Sequence, residues 1–508
     1  MNAEAVVALL KETWKESPLL IIATAVLGLV VLWLATRSRR PADAPPTASL
    51  GVPVVGTYIE FAKNPVDFVA QCLGKFGPVF TVPMLHKKLT FLLGPEASAP
   101  FFKLRDDFMS QPEVYGFMTP VFGKGVVYDA EPDRRDLQTR TMSTALLKSK
   151  NLEAYVEKIE AETRDYLRKH WKDEGDVDIL QALSELTILT SSRCLHGDDV
   201  RETLGAEVAR IYHDLDKGVT PLSFFFPYAP TQAHAQRDAA RAEMVKIFST
   251  VIDARRKRSS LQSQEATDIL QVFIDLKYPE SAPGKNDGRP LNNDEVVGLL
   301  IALLFAGQHT SSITSTWTTM FLLHNPRCKA AFSAEQEAIM GEDSTATPLA
   351  YDHVGKMEYL ENCIKESLRM HPPLILLMRM AMQDIETKVG DRTYTIPKGD
   401  IVLTSPAVAS RMESVFKNPN AFEPERFGAE RKEDKVPFSF LGFGGGHHAC
   451  LGARFGILQV KTIVSILFRN YEMTNIDKAF PEPDYTAMVV GPKNHCRVHY
   501  KKKSASSI

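Results

Sequence analysis

The sequence predicts a mainly α protein with a small β module, a single large domain behind an N-terminal transmembrane helix. Three observations carry this. Apolar residues recur at helical spacing over 58–75, 97–108, 150–170, 178–195, 200–216, 231–260 and 265–276, and again from Val296 to Leu323. Strand-like alternation is confined to 386–389, 393–396 and 401–404, with turns at Gly390-Asp391 and at 397–400. An uncharged run from Leu19 to Ala35 stands near the start, at the short end for a membrane span. Length alone suggests two or three domains, but no composition shift after residue 56 cuts the chain further.

The N-terminal elements follow from charge and proline. Residues 1–18 are expected to be a lumenal segment and 19–36 the anchor. Trp14 and Trp33 lie roughly 28 Å apart along a helix, matching the two interfaces of a bilayer. Arg37, Arg39 and Arg40 follow at once, whereas the upstream flank mixes both signs. The positive-inside rule then leaves the C-terminal part in the cytosol. A cleaved signal peptide would need a basic n-region and a small-residue cleavage site, and neither is present. Residues 37–56 form a basic, proline-rich hinge that reads as a stiff tether, 57–500 the main domain, and 501–508 a basic, polar tail.

A formal net charge of -2 argues against nucleic acid as the main partner. The six cysteines, at 72, 194, 328, 363, 450 and 496, form no close pairs and suit a reducing compartment. Asn292 to Glu295 supplies an N-cap and acidic first-turn residues for the helix that follows. That helix is apolar nearly all round in its first half and is expected to be buried. Its middle breaks the pattern: Ala306-Gly307-Gln308-His309-Thr310-Ser311-Ser312 sets a glycine and five polar residues inside a buried rod. Glycine there costs about 1 kcal/mol and unpaired buried polar groups more. The bland reading is a satisfied polar patch; the sharper one is a functional notch.

Near the C-terminus, Phe443-Gly444-Gly445-Gly446-His447-His448-Ala449-Cys450-Leu451-Gly452 leads into an apolar helical stretch. Cys450 therefore sits where a glycine-rich loop becomes a helix, a place where amide N–H groups favour a thiolate. An open glycine loop beside it lets a flat metal macrocycle approach the backbone, and thiolate-ligated haem is the form that promotes O–O cleavage. A zinc site on His447, His448 and Cys450 lacks a second ligand cluster at a usual spacing. A phosphate loop lacks the following Gly-Lys-Ser/Thr.

The spacing Phe443, Gly446, His448, Cys450, Gly452 resembles the haem-binding loop of the cytochrome P-450 superfamily, with His where most members have Arg. The notch resembles the superfamily's Ala/Gly-Gly-x-Asp/Glu-Thr, where the central helix opens beside the oxygen-binding face; Thr310 matches the threonine, and His309 replaces the acid. Glu366-Ser-Leu-Arg369, with Arg426 later, resembles the buried Glu-x-x-Arg network, Glu366–Arg369–Arg426, that holds the cysteine loop. The resemblance implies haem b with Cys450 as axial iron ligand, and one superfamily fold from about 45 to 500.

Three segments are similar to the sterol 14α-demethylase family: Tyr115 to Asp129, Ala306 to Ser312, and His371 to Arg379. The resemblance implies that Tyr115, Tyr128, Arg379 and His448 bind the haem propionates. It also implies that Phe117, Met118, Phe122, Phe305, Ala306, Leu376, Met378 and Met488 line a sterol pocket. Animal and fungal members use a lysine downstream of the second tyrosine; here Thr139 stands there, followed by Arg140. The implied reaction is removal of the sterol 14α-methyl group as formate in three oxidations. Each uses O₂ and NADPH-derived electrons from a separate membrane-bound NADPH–cytochrome P-450 reductase, because the chain carries no flavin or nicotinamide motif. The implied location is the endoplasmic reticulum membrane.

For catalysis, Thr310 can relay a proton and His309 titrates near neutral pH. The stretch Tyr212-His-Asp-Leu-Asp216 resembles the family segment facing this helix, and Asp214 is the expected partner of His309. Phe117 stands where plant-type members carry Phe and favour 4-monomethyl sterols, so a 4-monomethyl preference is expected. The competing readings are another membrane-bound oxygenase acting on fatty acids or xenobiotics, and a non-oxidising haem-thiolate isomerase or binder. His309 argues against the first, and the polar notch with Thr310 against the second.

Overall fold

The centre of the molecule is the helix Asn293–His324. Asn292 accepts from the Glu295 N–H at 2.8 Å and Glu295 accepts from the Asn292 N–H at 2.9 Å, a reciprocal cap that satisfies two orphan donors. Arg289 then clamps the same carboxylate through two nitrogens, at 2.7 and 2.8 Å. The helix is buried along most of its length and packs against Ile179–Leu195, Gln232–Ser259, Glu358–Met370 and Ala453–Asn470. Their facing residues form the largest hydrophobic cluster. The computed structural model describes residues 41–48, 55–84, 87–259, 268–279, 288–341 and 347–503, and Gly28. The expected lumenal segment and anchor, 1–36, therefore lie outside the described residues except for Gly28. Among those residues one helix is long and apolar enough to cross a membrane, and it is this core helix.

Ten strands occur among the described residues: β1 (Val79–Met84), β2 (Lys87–Leu92), β3 (Met109–Ser110), β4 (Glu174–Asp178), β5 (Leu377–Ala381), β6 (Ile385–Val389), β7 (Arg392–Ile396), β8 (Ile401–Thr404), β9 (Tyr471–Asn475) and β10 (Arg497–Lys502). One sheet runs β1-β2-β8-β5-β3, another β4-β10-β9, and β6 pairs with β7 alone. The fold is thus mainly helical with small sheet modules, as the sequence predicts. The three expected strands correspond to β6, β7 and β8, and the expected turns hold Gly390 and Gly399 at positive φ. The β1–β2 hairpin was not expected: β1 is almost wholly buried, so it shows no alternation.

Several boundaries differ from expectation for local reasons. The expected helix 58–75 is two, Val55–Lys63 and Pro65–Phe76, because Pro65 lacks an N–H and Asn64 caps the second by accepting from Asp67 at 3.1 Å. Part of the expected hinge is not a free tether. Ala48 donates to Thr81 O at 2.8 Å and Thr81 to Pro46 O at 2.9 Å, which straps 46–48 along β1. At the other end Lys501 and Lys502 belong to β10 and not to a loose tail.

Candidate active site

The loop before Ala453–Asn470 owes its glycines to two different demands. Gly444 and Gly446 adopt φ of 66° and 63°, where other side chains are strained. A Cβ on Gly446 would also lie 1.7 Å from Phe102 O, so the loop could not pack on the Pro95–Lys103 helix with any other residue. Thus close approach of protein backbone is itself a reason for the third glycine. The Cys450 N–H donates to Phe443 O at 2.9 Å, which fixes the cysteine at the loop's end.

Cys450 lines an apolar cavity of about 770 Å³. Solvent reaches Cys450 through the cavity, yet the protein packed around it desolvates the thiol and raises its pKa, against the pull of the Gly452 N–H. The Gly452 N–H, at the start of the helix, is an amide that favours the thiolate, and a bound metal cation would favour it further. Thr310, His309, Ala306, Gly307 and Phe305 form another part of the lining.

The notch is not an opening in the helix. Asn293–His324 is continuous, and the hydroxyls bond back along it: Thr310 Oγ1 donates to Ala306 O at 2.6 Å and Thr314 Oγ1 to Thr310 O at 2.6 Å. Back-bonding satisfies these groups without breaking the ladder. His309 differs. Its Nε2 lies 3.3 Å from Asp216 Oδ1, an ion-pair distance without hydrogen-bond alignment, and the Tyr212 ring lies 5.7 Å from the imidazole.

The expected partner Asp214 is elsewhere. It accepts from Gln236 Nε2 at 2.9 Å and lies 3.6 Å from Arg210. On the helix Asp198–Lys217, residues 212 and 216 are four apart and share a face, whereas 214 points away. Burial drives the Tyr212 phenol far above its ordinary pKa, with Asp216 adding to the effect. The i, i+4 pair Tyr212–Asp216 was the signal in the sequence that could have found the right acid.

The polar rim is built from several segments. Tyr115 and Tyr128 stack at 5.2 Å and both line the cavity. Burial pushes Tyr115 up to about 12 and Tyr128 further. Arg379 is 2 % exposed; it donates to Leu104 O at 3.2 Å and lies over the Phe101 ring, with no carboxylate in ion-pair contact among the described residues. Burial lowers its pKa to about 10, against the pull of Asp106 and Tyr115. A buried guanidinium in this condition calls for an anion at the cavity.

His448 Nε2 pairs with Asp106 Oδ1 at 2.9 Å, and Arg135 holds the other oxygen at 2.8 Å. Burial alone would raise Asp106; His448, the Gln111 N–H and Arg135 outweigh it and hold the carboxyl below its ordinary value. The sequence reading missed both Asp106 and Arg135. Arg140 is exposed and does not line the cavity.

Of the expected sterol-pocket residues, Phe117, Met118, Phe122, Phe305, Ala306, Met378 and Met488 line the cavity. Leu376 does not. It packs against the sheet cluster of Ile401 and Leu403, and its neighbours Leu374 and Leu377 take the lining positions. Beneath the loop, Glu366 accepts from Arg369 at 2.6 and 2.9 Å and from Arg426 at 3.1 Å, all three side chains fully buried. Arg369 also donates to Ser410 O, so the network ties the helix Glu358–Met370 to the segments leading into the cysteine loop.

A Cytochrome P450 family model matches residues 45–498. The chain belongs to the cytochrome P450 family. Among curated relatives of this P450, a sterol 14-demethylase of Arabidopsis thaliana is 44 % identical over 97 % of this chain and 98 % of its own. An obtusifoliol 14-alpha demethylase of Sorghum bicolor is 45 % identical over 95 % of each. A lanosterol 14-alpha demethylase of Mus musculus is 38 % identical over 96 % of this chain and 94 % of its own. The retinoic acid-bound cyanobacterial CYP120A1 superposes with a TM-score of 0.76 at 21 % identity, covering 91 % of this chain and all of that one, which speaks to the fold alone.

Proposed function

We propose that this P450 is a sterol 14α-demethylase that removes the 14α-methyl group of a sterol precursor as formate. The observation that carries this reading is one apolar cavity lined by Cys450, by Thr310 and His309, and by an aromatic wall including Phe117, Phe122 and Phe305. The names of the plant and animal relatives supply the substrate class.

The donor set fits haem b. Cys450 would hold the iron, and Arg379, Tyr115, Tyr128 and His448 the propionates; the buried, unneutralised Arg379 is the observation that favours an acidic group there. Bound haem would supply oxygen activation. The chain's own residues do the rest. Phe117, Met118, Phe122, Met378 and Met488 bind and orient an apolar substrate and exclude water. Thr310 holds a hydroxyl at the cavity wall, and His309, backed by Asp216, passes protons toward it. Three oxidations take the methyl group to alcohol, to aldehyde and to formate, each drawing O₂ and two electrons from a separate NADPH–cytochrome P-450 reductase.

The membrane reading is a single anchor at 19–36 in the endoplasmic reticulum, a lumenal segment 1–18, and a cytosolic catalytic domain. Exposed Tyr58, Ile59, Leu222, Phe226 and Tyr228 support a lipid-facing mouth, with Tyr58 and Phe225 in edge contact at 6.3 Å.

The test is reconstitution with reductase, NADPH and a panel of obtusifoliol, 24-methylenedihydrolanosterol and lanosterol. Formate release and the 14-demethylated product are expected, with 4-monomethyl obtusifoliol preferred by roughly ten-fold or more in kcat/KM. Turnover of fatty acids and none of the sterols would overturn the reading.

A further inference from the structure

We propose that Phe224 is a specificity-positioning residue: its ring fixes the plane of the Phe117 phenyl and so sets how much bulk the cavity admits at that wall. The inference rests on the sterol reading above and deepens it.

Phe117 lines the cavity and is held by two rings outside its own side chain. Tyr115 stacks on it at 6.0 Å and 29°, and Phe224 meets it edge to face at 5.7 Å and 85°. Edge-to-face contact is directional: the positive ring edge seeks the negative face, so rotation of either ring loses it. Phe224 does not line the cavity, so it acts on substrate only through Phe117.

Phe224 is itself clamped. It lies in Pro221–Phe225, where Ser223 Oγ accepts from the Thr220 N–H at 3.1 Å and lies 3.0 Å from His234 Nε2. The other nitrogen of that buried histidine lies 2.7 Å from Ala229 O, so one imidazole ties the middle of this helix to the loop that follows it. The Lys87 ammonium sits over the Phe224 ring at 4.9 Å, and Phe225 meets it edge-on at 5.0 Å. Phe224 also packs against both the helical and the sheet cores.

A free phenyl at 117 could tilt and admit a second 4-methyl group. A clamped one cannot without dragging the 218–234 segment with it. One methyl in an apolar pocket changes selectivity by roughly 10- to 200-fold when the wall does not yield. The clamp is what keeps the wall from yielding.

The experiment measures kcat/KM on obtusifoliol and on lanosterol for native enzyme, Phe224→Leu, Phe224→Met, Phe224→Tyr, Phe117→Leu and Phe117→Leu/Phe224→Leu, all reductase-reconstituted and matched by carbon monoxide spectrum. Phe224→Leu and Phe224→Met are expected to lower the obtusifoliol preference at least roughly five-fold, through a lower KM for lanosterol at unchanged kcat on obtusifoliol. Phe224→Tyr, which keeps the ring edge, is expected to retain the native ratio. In the Phe117→Leu background the second substitution should change nothing. A selective native enzyme whose ratio survives both Phe224→Leu and Phe224→Met sinks this inference alone, as does an equal effect in the Phe117→Leu background. A native enzyme that treats the two sterols alike sinks the 4-methyl reading and this inference with it.

Discussion

His309 and Asp216 come from separate helices and meet at the cavity with 3.3 Å between Nε2 and Oδ1, while Tyr212, one turn before Asp216, lays its ring beside the imidazole. A histidine set beside a carboxylate at the cavity wall is placed to hand a proton along toward Thr310. Asp216→Ala and His309→Ala are expected to lower turnover roughly a hundred-fold, the low end of general acid–base effects, while sterol still shifts the haem spectrum. Asp214→Ala, which removes only contacts to Gln236 and Arg210 on the outer face, should leave turnover within about two-fold. The reverse pattern would mean that the relay uses the other acid.

Cys450→Ala tests the ligand. With the thiol removed, the carbon monoxide difference spectrum characteristic of thiolate-bound ferrous haem should disappear. If that spectrum persists, one of the other five cysteines is the ligand, although each of those is buried.

The Glu366 network should be sensitive to loss of either cation. Arg369→Ala leaves a fully buried carboxylate short of its two-nitrogen partner, a change that typically costs about 3–5 kcal/mol. The expected result is protein that fails to retain haem on purification. Glu366→Gln keeps the shape and removes the charge, so it should also destabilise by leaving the buried Arg369 without a carboxylate, whereas Arg426 keeps Glu423 and Glu433. A stable, haem-replete Arg369→Ala enzyme would show that the loop is held by other contacts.

The cap of the central helix predicts a pH dependence. Burial alone would raise the Glu295 carboxyl, but Arg289, the Asn292 N–H and Tyr278 hold it below its ordinary value. A depressed folded pKa contributes stability above the unfolded value of about 4.3, which is lost as pH falls through the folded one. Native protein should therefore exceed Glu295→Gln in stability at pH 7 by about 1–3 kcal/mol. The gap should close as the medium is acidified below about pH 4. Parallel denaturation curves with a gap that does not change with pH would refute it.

Much of the site was legible in the sequence because it is written in local patterns. The three glycines and Cys450 sit within one loop. The polar break in the central helix stands out against an apolar run, and Glu366 and Arg369 are three apart on one helix face. Such short-range signals survive without knowing where other segments go. What only the tertiary structure decided is which distant groups meet. Asp216 instead of Asp214 follows from the facing of one helix on another, and Asp106 and Arg135 on His448 from the docking of three segments. Leu376 turns away to the sheet because Ile401 and Leu403, on a strand distant in sequence, offer it an apolar bed that no local pattern reports. The strapping of 46–48 onto β1 likewise depends on an open backbone edge that no side-chain pattern reports. The physical reason is common to all four: side-chain periodicity encodes which face is buried, and contact across elements depends on the packing of those faces against one another.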